Sequence, residues 1–298
     1  MRNCIVLPVA VVVVLSAVAA ACGSEESGTA DSPNSPADAA ADTATSPAND
    51  DGGGGGSGTT APEDGYGGVS LFQTGNGNLS GFGYFLPKER VEQGENVFGT
   101  TVLQRSGACA VSETTRPADA GPIQGLVSPG TVTVTSSSLT DGPLVLTPNA
   151  NNVVMSADSK ALSTFYGSEF RVVAEGGTAV PAFDETVRAP ARKLVLTKPV
   201  DPTKINRATD LAIEWAEADD SAVAILSLSS RDNRRTVSCE FSGAAKSGVV
   251  PASLLGELPA GEGYFSMQFR TSKQFTNAGY RAAIVVGFVE RATNVVLE

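Results

Sequence analysis

Hydrophobic and polar residues alternate in short runs along most of the chain after about residue 69. Residues 131–135 are Thr-Val-Thr-Val-Thr, and residues 237–241 are Val-Ser-Cys-Glu-Phe. This period of two is typical of a β-strand with one buried face. Similar segments, separated by Gly, Pro, Asn and Asp, are residues 144–147, 170–174, 194–197, 211–215, 223–228, 265–269 and 283–289. The pattern predicts many short strands.

Helical patterns are few and short. Residues 87–93 begin with a proline and stop at Gly94, and residues 251–258 are the other candidate. A parallel sheet would need long amphipathic helices between its strands, and the sequence shows no such pattern. We therefore predict an all-β fold built from two β-sandwich-like domains. A boundary near Pro190 would separate an N-terminal β domain, residues 69–189, from a C-terminal sandwich, residues 190–298.

The C-terminal part resembles a fibronectin type III domain. Residues 211–215, Leu-Ala-Ile-Glu-Trp, are followed by an acidic turn and resemble the second strand of that fold with its core tryptophan. Three residues have the spacing of its tyrosine corner: Leu258, Gly261 and Tyr264. Pro259 stands one place early, and Cys239 has no partner before the tryptophan within this domain, unlike antibody domains. The resemblance implies an immunoglobulin-like sandwich with Trp215 in its core.

The first 21 residues have the character of an export signal. Arg2 precedes an apolar stretch from Ile5 to Ala21, which at about 17 residues is at the lower edge of the membrane-spanning range. The following Cys22 completes Ala-Ala-Ala-Cys, which resembles a bacterial lipobox although Ala19 replaces the more usual leucine. The resemblance implies cleavage before Cys22, lipidation of its sulfur and placement at the outer membrane or cell surface. An ordinary secreted protein and an uncleaved anchor remain alternatives.

Residues 22–68 are predicted to form a disordered tether. They consist almost entirely of small and polar residues, and from Gly23 to Tyr66 they carry nine acids and no bases. Such a segment cannot bury enough apolar surface to offset its ordering entropy. As a flexible chain it would span on the order of 35–40 Å. This length would hold a folded body away from a lipid surface.

The net charge of −11 over 298 residues arises mostly from this tether. Without the tether and Arg2, 23 acids stand against 20 bases. The folded part is therefore nearly neutral, and no concentrated basic stretch suggests a nucleic-acid partner.

The cysteines indicate one disulfide. Cys4 leaves with the signal and Cys22 carries lipid, so Cys109 and Cys239 remain to form a bridge in an oxidising compartment. Two unpaired buried thiols are the alternative. Neither cysteine has a neighbouring cysteine or histidine that would make a metal site.

Most catalytic chemistries lack their residues. The chain has no histidine, which excludes Ser-His-Asp, Cys-His and histidine-ligated zinc sites. The motifs S-x-x-K, G-x-S-x-G and G-x-x-x-x-G-K are absent as well. We therefore expect neither an enzyme nor a cofactor. Paired carboxylates acting on a glycosidic bond remain possible, because sequence does not reveal their separation.

Two charged clusters are weak candidates for binding. Carboxylates that could bind Ca²⁺ are Glu217, Asp219 and Asp220. Guanidinium groups that could bind phosphate or an anionic polysaccharide are Arg231, Arg234 and Arg235. The arginines surround Asp232-Asn233, a favourable hairpin turn. A solvated turn and a solvated hairpin tip are the simpler interpretations.

The order of features is similar to that of a group of surface lipoproteins from myxobacteria and their relatives. The similarity rests on the lipobox, the acidic tether, residues 128–134 (Ser-Pro-Gly-Thr-Val-Thr-Val), residues 180–183 (Val-Pro-Ala-Phe) and the tryptophan strand. It implies location and fold, and it transfers no catalytic residue. We predict a non-enzymatic, lipid-anchored envelope protein that binds a protein or polysaccharide, or is structural. The alternatives are a carboxylate-dependent hydrolase of envelope polysaccharide and an accessory subunit of secretion or assembly.

Overall fold

The computed structural model describes residues 67–92, 99–115, 125–200 and 202–298. The predicted signal segment, Cys22 and the tether as far as Tyr66 lie outside these residues. Within the described parts, no helix has the length and apolar character needed to cross a bilayer. Almost all regular structure in these parts is β, which confirms the all-β prediction.

The described residues form short strands, one long hairpin, two short α-helices and one 3-10 turn at Gly243–Ala245. The strands are β1 (Gly67–Gln73), β2 (Asn78–Phe85), β3 (Thr100–Ser106), β4 (Cys109–Thr114), β5 (Val132–Thr135), β6 (Leu144–Pro148), β7 (Val154–Ser156), β8 (Lys160–Ala161), β9 (Glu169–Ala174), β10 (Phe183–Arg188), β11 (Val195–Lys198), β12 (Lys204–Ile205), β13 (Leu211–Ala216), β14 (Val223–Ser230), β15 (Arg235–Ser242), β16 (Ser247–Val250), β17 (Gly261–Asn277) and β18 (Tyr280–Leu297). The helices are α1 (Lys88–Glu92) and α2 (Ala252–Leu255). Every segment predicted from alternation overlaps a strand, with Thr131 and Leu194 lying one residue before theirs, and both helical candidates contain a short helix.

The C-terminal part is a two-layer sandwich around Trp215. A three-stranded sheet, β11-β13-β16, faces the run β18-β17-β14-β15 of the large sheet. Trp215 on β13 is 2% exposed, and its ring centroid lies 6.2 Å from that of Phe241 and 6.0 Å from that of Phe269. Its indole N–H donates to the carbonyl of Gly243 at 3.1 Å. The sandwich and the core position of the tryptophan are therefore as the fibronectin type III resemblance implies.

The tyrosine corner of that resemblance is not formed. Tyr264 is half-buried, and its hydroxyl makes no hydrogen bond with any described residue. The next residue along β17, Phe265, is fully buried in the core instead. Alternate residues of a strand face opposite sides of its sheet, so Phe265 and Tyr264 cannot both point inward. The buried aromatic residue is thus one position later than the motif places it, and Pro259 is also displaced by one position from its usual place in the motif.

The hairpin of β17 and β18 joins both halves of the described chain. At its base, β17 pairs with β14 of the sandwich, beginning with Gly263 opposite Ser230. Towards its tip, β18 pairs in parallel with β1, where Gly67 lies opposite Ala282. The ladder between β17 and β18 shifts register between Met267 and Gln268, within the stretch of β17 that pairs with β14. Beyond β1 the sheet continues through β2, β7, β6, β5, β9 and β10.

This N-terminal part of the sheet curls until β10 lies beside the tip half of β17. The rings of Phe183 on β10 and Phe275 on β17 are 4.9 Å apart between centroids. Lys273 Nζ lies 2.7 Å from Glu185 Oε2 across the same seam. The enclosed face carries most of the large buried side chains of this half, among them Phe85, Leu144, Leu146, Phe165 and Phe170.

The hydrogen-bonded sheet crosses the boundary predicted at Pro190. Strands β1 and β4 come from the stretch before it, yet β1 pairs with β18 and β4 pairs with β15. The strands of residues 69–189 therefore do not pair only with one another. They complete ladders with strands from the end of the chain, so the two stretches share one sheet.

The predicted disulfide is present between β4 and β15. Cys109 and Cys239 lie directly opposite each other in this antiparallel pair, with a Cα–Cα distance of 4.0 Å and a sequence separation of 130 residues. Both cysteines are buried. The bridge fastens the β3–β4 hairpin to the C-terminal sandwich.

Candidate binding cleft

A polar cleft of about 330 Å³ lies at one end of the sandwich. Four segments converge there: the end of β4, the loop between β12 and β13, the β14–β15 turn, and the connection from α2 to β17. This volume is at the lower end of the range for small-molecule sites. The cleft contains two of the three arginines singled out in the sequence, Arg234 and Arg235, whereas Arg231 lies outside its lining.

The β14–β15 turn is built by short polar side chains. Asn233 has a φ of 53°, a left-handed conformation that asparagine tolerates better than most residues. Asp232 Oδ1 accepts hydrogen bonds from the Ser230 hydroxyl at 2.6 Å and from the Arg234 amide at 3.1 Å. The bond from Ser230, followed by that from the Arg234 amide, lowers the pKa of Asp232. These bonds fix the shape of the turn, and the turn thereby positions the backbone of Arg234 and Arg235.

Arg235 is bound by two carboxylates within the cleft. Its Nε donates to Glu113 Oε1 at 3.2 Å. Its Nη1 donates to the carbonyl of Glu257 at 2.9 Å and lies 3.5 Å from that residue's Oε2. Glu113 belongs to β4 and Glu257 to the segment before β17. Arg235 consequently holds two walls of the cleft together.

The other two arginines of the predicted cluster differ from Arg235. Arg231 forms an exposed ion pair with Glu262. Arg234 has a side chain that is 74% exposed, and its Nε is 3.8 Å from Asp232 Oδ2, which is beyond hydrogen-bond distance. The structure therefore separates the three arginines, and only Arg234 extends a largely exposed guanidinium at the cleft.

Arg207, which the sequence did not single out, is the third arginine of the cleft. Its Nη1 donates to the carbonyl of Leu258 at 2.6 Å and lies 3.4 Å from that of Gly256. Its Nε is buried and has no hydrogen-bond partner among the described residues. Nothing in the sequence around this loop arginine marks it, because its neighbours in the cleft come from distant parts of the chain.

The calcium candidate Asp219 is a buried hydrogen-bond acceptor. It is 6% exposed, and its Oδ2 accepts from the amides of Ala191 at 2.6 Å and Arg192 at 3.3 Å. Its Oδ1 accepts from the Ser221 amide at 3.0 Å and hydroxyl at 2.6 Å. Burial raises the pKa of Asp219, but the bonds from Ser221 and from the two amides outweigh it and lower the pKa overall. Asp219 is thus not the solvated turn residue expected.

The two other acids of that candidate do not join Asp219 at a common point. Glu217 lies 3.5 Å from Arg192 Nη1 as an exposed ion pair, and Asp220 is exposed. In the described ranges there is no group of three or more His, Cys, Asp or Glu side chains placed to hold a metal ion. Asp219 instead holds two loops together by accepting hydrogen bonds from their backbone amides.

A second concavity lies on the outer face of β1, β2, β17 and β18. It is lined by Phe72, Phe82 and Arg270 among others and has a volume of about 30 Å³. Arg270 is ion-paired with Glu240 at 2.9 Å, and burial lowers its pKa. The volume of this concavity is about a tenth of that of the polar cleft.

The cleft and the start of the described chain lie at opposite ends of the long hairpin. Gly67 is paired with Ala282, next to the hairpin tip. The cleft contains Leu258 and Pro259, which lead into Gly261 at the hairpin base. Strand β17 has 17 residues, and at about 3.3 Å per residue it extends about 55 Å. The described chain therefore begins far from the cleft.

No protein-family model matches the chain, and no curated protein matches it. Among solved structures, the FN1-FN3 domains of chicken CNTN1 are 7% identical with a TM-score of 0.21, covering 66% of this chain. A tetra-tandem repeat from the extending region of a large adhesion protein is 13% identical with a TM-score of 0.18, covering 72% of this chain and 56% of its own. The chain spans 64% of the length of the CNTN1 structure. With scores this low, the fold rests on the strand order described above.

Proposed function

We propose that this chain is a non-enzymatic, lipid-anchored protein of the bacterial cell surface that binds an envelope partner in its polar cleft. The observation that carries the proposal is the position of the cleft at the end of the hairpin opposite Gly67. A chain anchored at Cys22 would reach the body through the tether and present the cleft outward. The cleft is polar, open and assembled from loops, as binding sites on rigid β scaffolds commonly are.

The composition of the cleft supports binding over hydrolysis. Glycoside hydrolysis needs two carboxyl groups on either side of the scissile bond, one as acid and one as base or nucleophile. The two glutamates of the cleft, Glu113 and Glu257, instead bind the same guanidinium, that of Arg235. Their arrangement supports a role in fixing the walls of the cleft. Release of reducing ends from envelope polysaccharide by the purified protein would favour the hydrolase alternative.

The anchor is tested by replacing Cys22 with Ser and fractionating cells. We expect the variant to leave the membrane fraction, because the remaining signal residues would no longer direct lipidation. Retention in the membrane fraction after a high-salt wash would contradict the anchor. Binding by the cleft is a separate property, so this result does not affect it.

The orientation is tested by replacing Ala260 with Cys and adding a membrane-impermeant maleimide to intact cells. Ala260 is exposed and lies beside the cleft. We expect labelling of this variant and none of the parent protein, whose Cys109 and Cys239 are paired. Labelling only after cell lysis would show that the cleft faces away from the outside and would contradict the surface location.

A further inference from the structure

Arg207 offers an unused donor edge in the cleft. Its Nη1 is taken by backbone carbonyls of the segment before β17. Its Nε has no acceptor among the described residues, and no carboxylate forms an ion pair with its guanidinium there. The Nε and the adjacent amino nitrogen form the planar edge of a guanidinium that matches the two oxygens of a carboxylate. A buried donor without an acceptor is uncommon, and an acceptor from outside the chain would satisfy it.

A second guanidinium at the same cleft is also available. The Arg234 side chain is 74% exposed. Among the described residues its one ion-pair partner is Asp232, whose Oδ2 lies 3.8 Å from the Arg234 Nε. Arg235, in contrast, is occupied by Glu113 and Glu257. The cleft therefore has an exposed guanidinium at Arg234 and a buried, unpaired Nε at Arg207, while its carboxylates remain as hydrogen-bond acceptors. A matching ligand carries an anionic group together with several hydroxyl donors.

The apolar surface of the cleft is about equal to its polar surface, and no large apolar side chain is exposed in it. Pro259 is exposed and Leu258 is buried. Among the described residues that line the cleft, none is aromatic. Peptide partners are usually held by large apolar or aromatic anchors in matching pockets. A sugar ring needs only a small apolar surface for its C–H groups and many hydrogen-bond partners for its hydroxyls. The lining therefore favours a saccharide.

We infer that the cleft binds a uronic acid residue of an acidic polysaccharide, with the carboxylate on Arg207 and Arg234 and the hydroxyls on the cleft carboxylates. The inference rests on the proposed binding function, because it names the chemical class of the partner for the same cleft. No bond is made or broken in this interaction. Specificity arises from the planar carboxylate at the arginine edge and from hydroxyl donors facing Glu113, Glu257 and Asp232.

The test is titration of the purified full-length protein in detergent with polygalacturonate. Fully methyl-esterified polygalacturonate keeps the hydroxyls and removes the carboxylate charge, so it is the matched ligand control. We expect measurable binding of the charged polymer and at least tenfold weaker binding of the ester, since a charge-assisted contact of this kind changes affinity by about that factor. Added salt should weaken the binding of the charged polymer.

Three variants locate the site. R234A and R207K should each weaken binding by about tenfold, because the first removes an exposed guanidinium and the second keeps the charge but loses the planar edge. R192A is the control, since Arg192 forms an exposed ion pair with Glu217 outside the cleft lining. Melting temperatures of all variants show whether Arg207→Lys remains folded. If Arg207→Lys unfolds, the binding of Arg234→Ala alone tests the inference. Arg234 makes no side-chain hydrogen bond within the described residues, so its replacement should leave the fold intact.

Several results would overturn the inference. They are equal affinity for the charged polymer and its ester, no binding of the polymer by the wild type, and wild-type affinity in Arg234→Ala. Tighter binding of a short peptide with a free carboxyl terminus, lost in the same variants, would assign the cleft to a protein partner instead. The proposed surface location would stand in each case, because it is tested by Cys22→Ser and by labelling of Ala260→Cys.

Discussion

Replacing Asp219 with Asn should destabilise the protein although the side chain keeps its size. The carboxylate accepts four hydrogen bonds, two on each oxygen, from Ala191, Arg192 and Ser221. An asparagine has one acceptor oxygen and one amino group. If the amino group replaces Oδ2, the amides of Ala191 and Arg192 both lose their acceptor. If it replaces Oδ1, the Ser221 amide loses its acceptor, and the Ser221 hydroxyl has to turn and accept from the amino group. In either orientation the buried loop loses two bonds to a charged acceptor and leaves at least one donor unpaired.

The expected loss is about 3 kcal/mol in the free energy of unfolding. A hydrogen bond to a charged group contributes about 1.5–3 kcal/mol, and an unsatisfied buried donor costs about 1–3 kcal/mol. The two effects partly describe the same loss, so they are not added in full. For a folded body of this size, 3 kcal/mol corresponds to about 6–12 °C in melting temperature.

The assay is urea unfolding of lipid-free protein carrying Cys22→Ser, with Asp220→Asn as the control. Asp220 is the adjacent acid and is exposed, so its substitution should change stability by less than about 0.5 kcal/mol. Because folding lowers the pKa of Asp219, its carboxylate stabilises the fold above the ordinary aspartate pKa of about 3.9. That contribution is lost as the pH falls through the lower pKa of the folded state.

The stability difference between wild type and Asp219→Asn should therefore be constant from about pH 5 to 7 and become smaller below about pH 4, since asparagine does not titrate. A loss no larger than that of Asp220→Asn at pH 7 would refute the assignment. A difference unchanged at acid pH would do the same. An increase in melting temperature with Ca²⁺ in the wild type alone would show that the carboxylate is a metal ligand after all.

Four further substitutions test the core and the disulfide. Cys109→Ser should lower the free energy of unfolding by up to about 5 kcal/mol, the chain-entropy value for a loop of 130 residues, and reductant should reduce the stability of the wild type similarly in urea titrations. Trp215→Ala should lower the free energy of unfolding by about 3–5 kcal/mol. Tyr264→Phe should leave the urea midpoint nearly unchanged, because the Tyr264 hydroxyl makes no hydrogen bond with a described residue. Gly287→Ala should lower the melting temperature, because its Cβ would lie 2.7 Å from the Phe269 carbonyl oxygen; an unchanged value would contradict the close approach of these strands.

The strands were predictable because their information is local. The alternation at residues 131–135 and 237–241 reflects one buried face at β5 and β15, and each segment carries that pattern by itself. The disulfide was also predictable, since only two cysteines remain after the signal and the lipobox are set aside. The fibronectin type III resemblance implied the core position of Trp215, and the burial of Ile213 on the same face of β13 agrees with it.

The pairing between strands was not predictable in the same way. The pattern of β1 does not indicate that it lies beside β18, more than 200 positions away in sequence. A division at Pro190 was therefore reasonable from punctuation alone, but the ladders cross it. Similarly, the acids at 217–220 looked alike in sequence, and only the fold placed Asp219 beneath the amides of Ala191 and Arg192.

From composition and local patterns alone, the sequence predicted the all-β class, which the structure confirms, and excluded histidine chemistry. The export signal, the lipidated Cys22 and the acidic tether are predictions from the same kind of local pattern, and they lie outside the described residues. The tertiary structure decided which strands meet, which arginines share a cleft and which acid is buried. Arg207, Arg235 and Glu113 come from three separate stretches, and no local pattern links them. Contacts of that kind depend on the register of distant strands, which is fixed only when the whole sheet closes around its core.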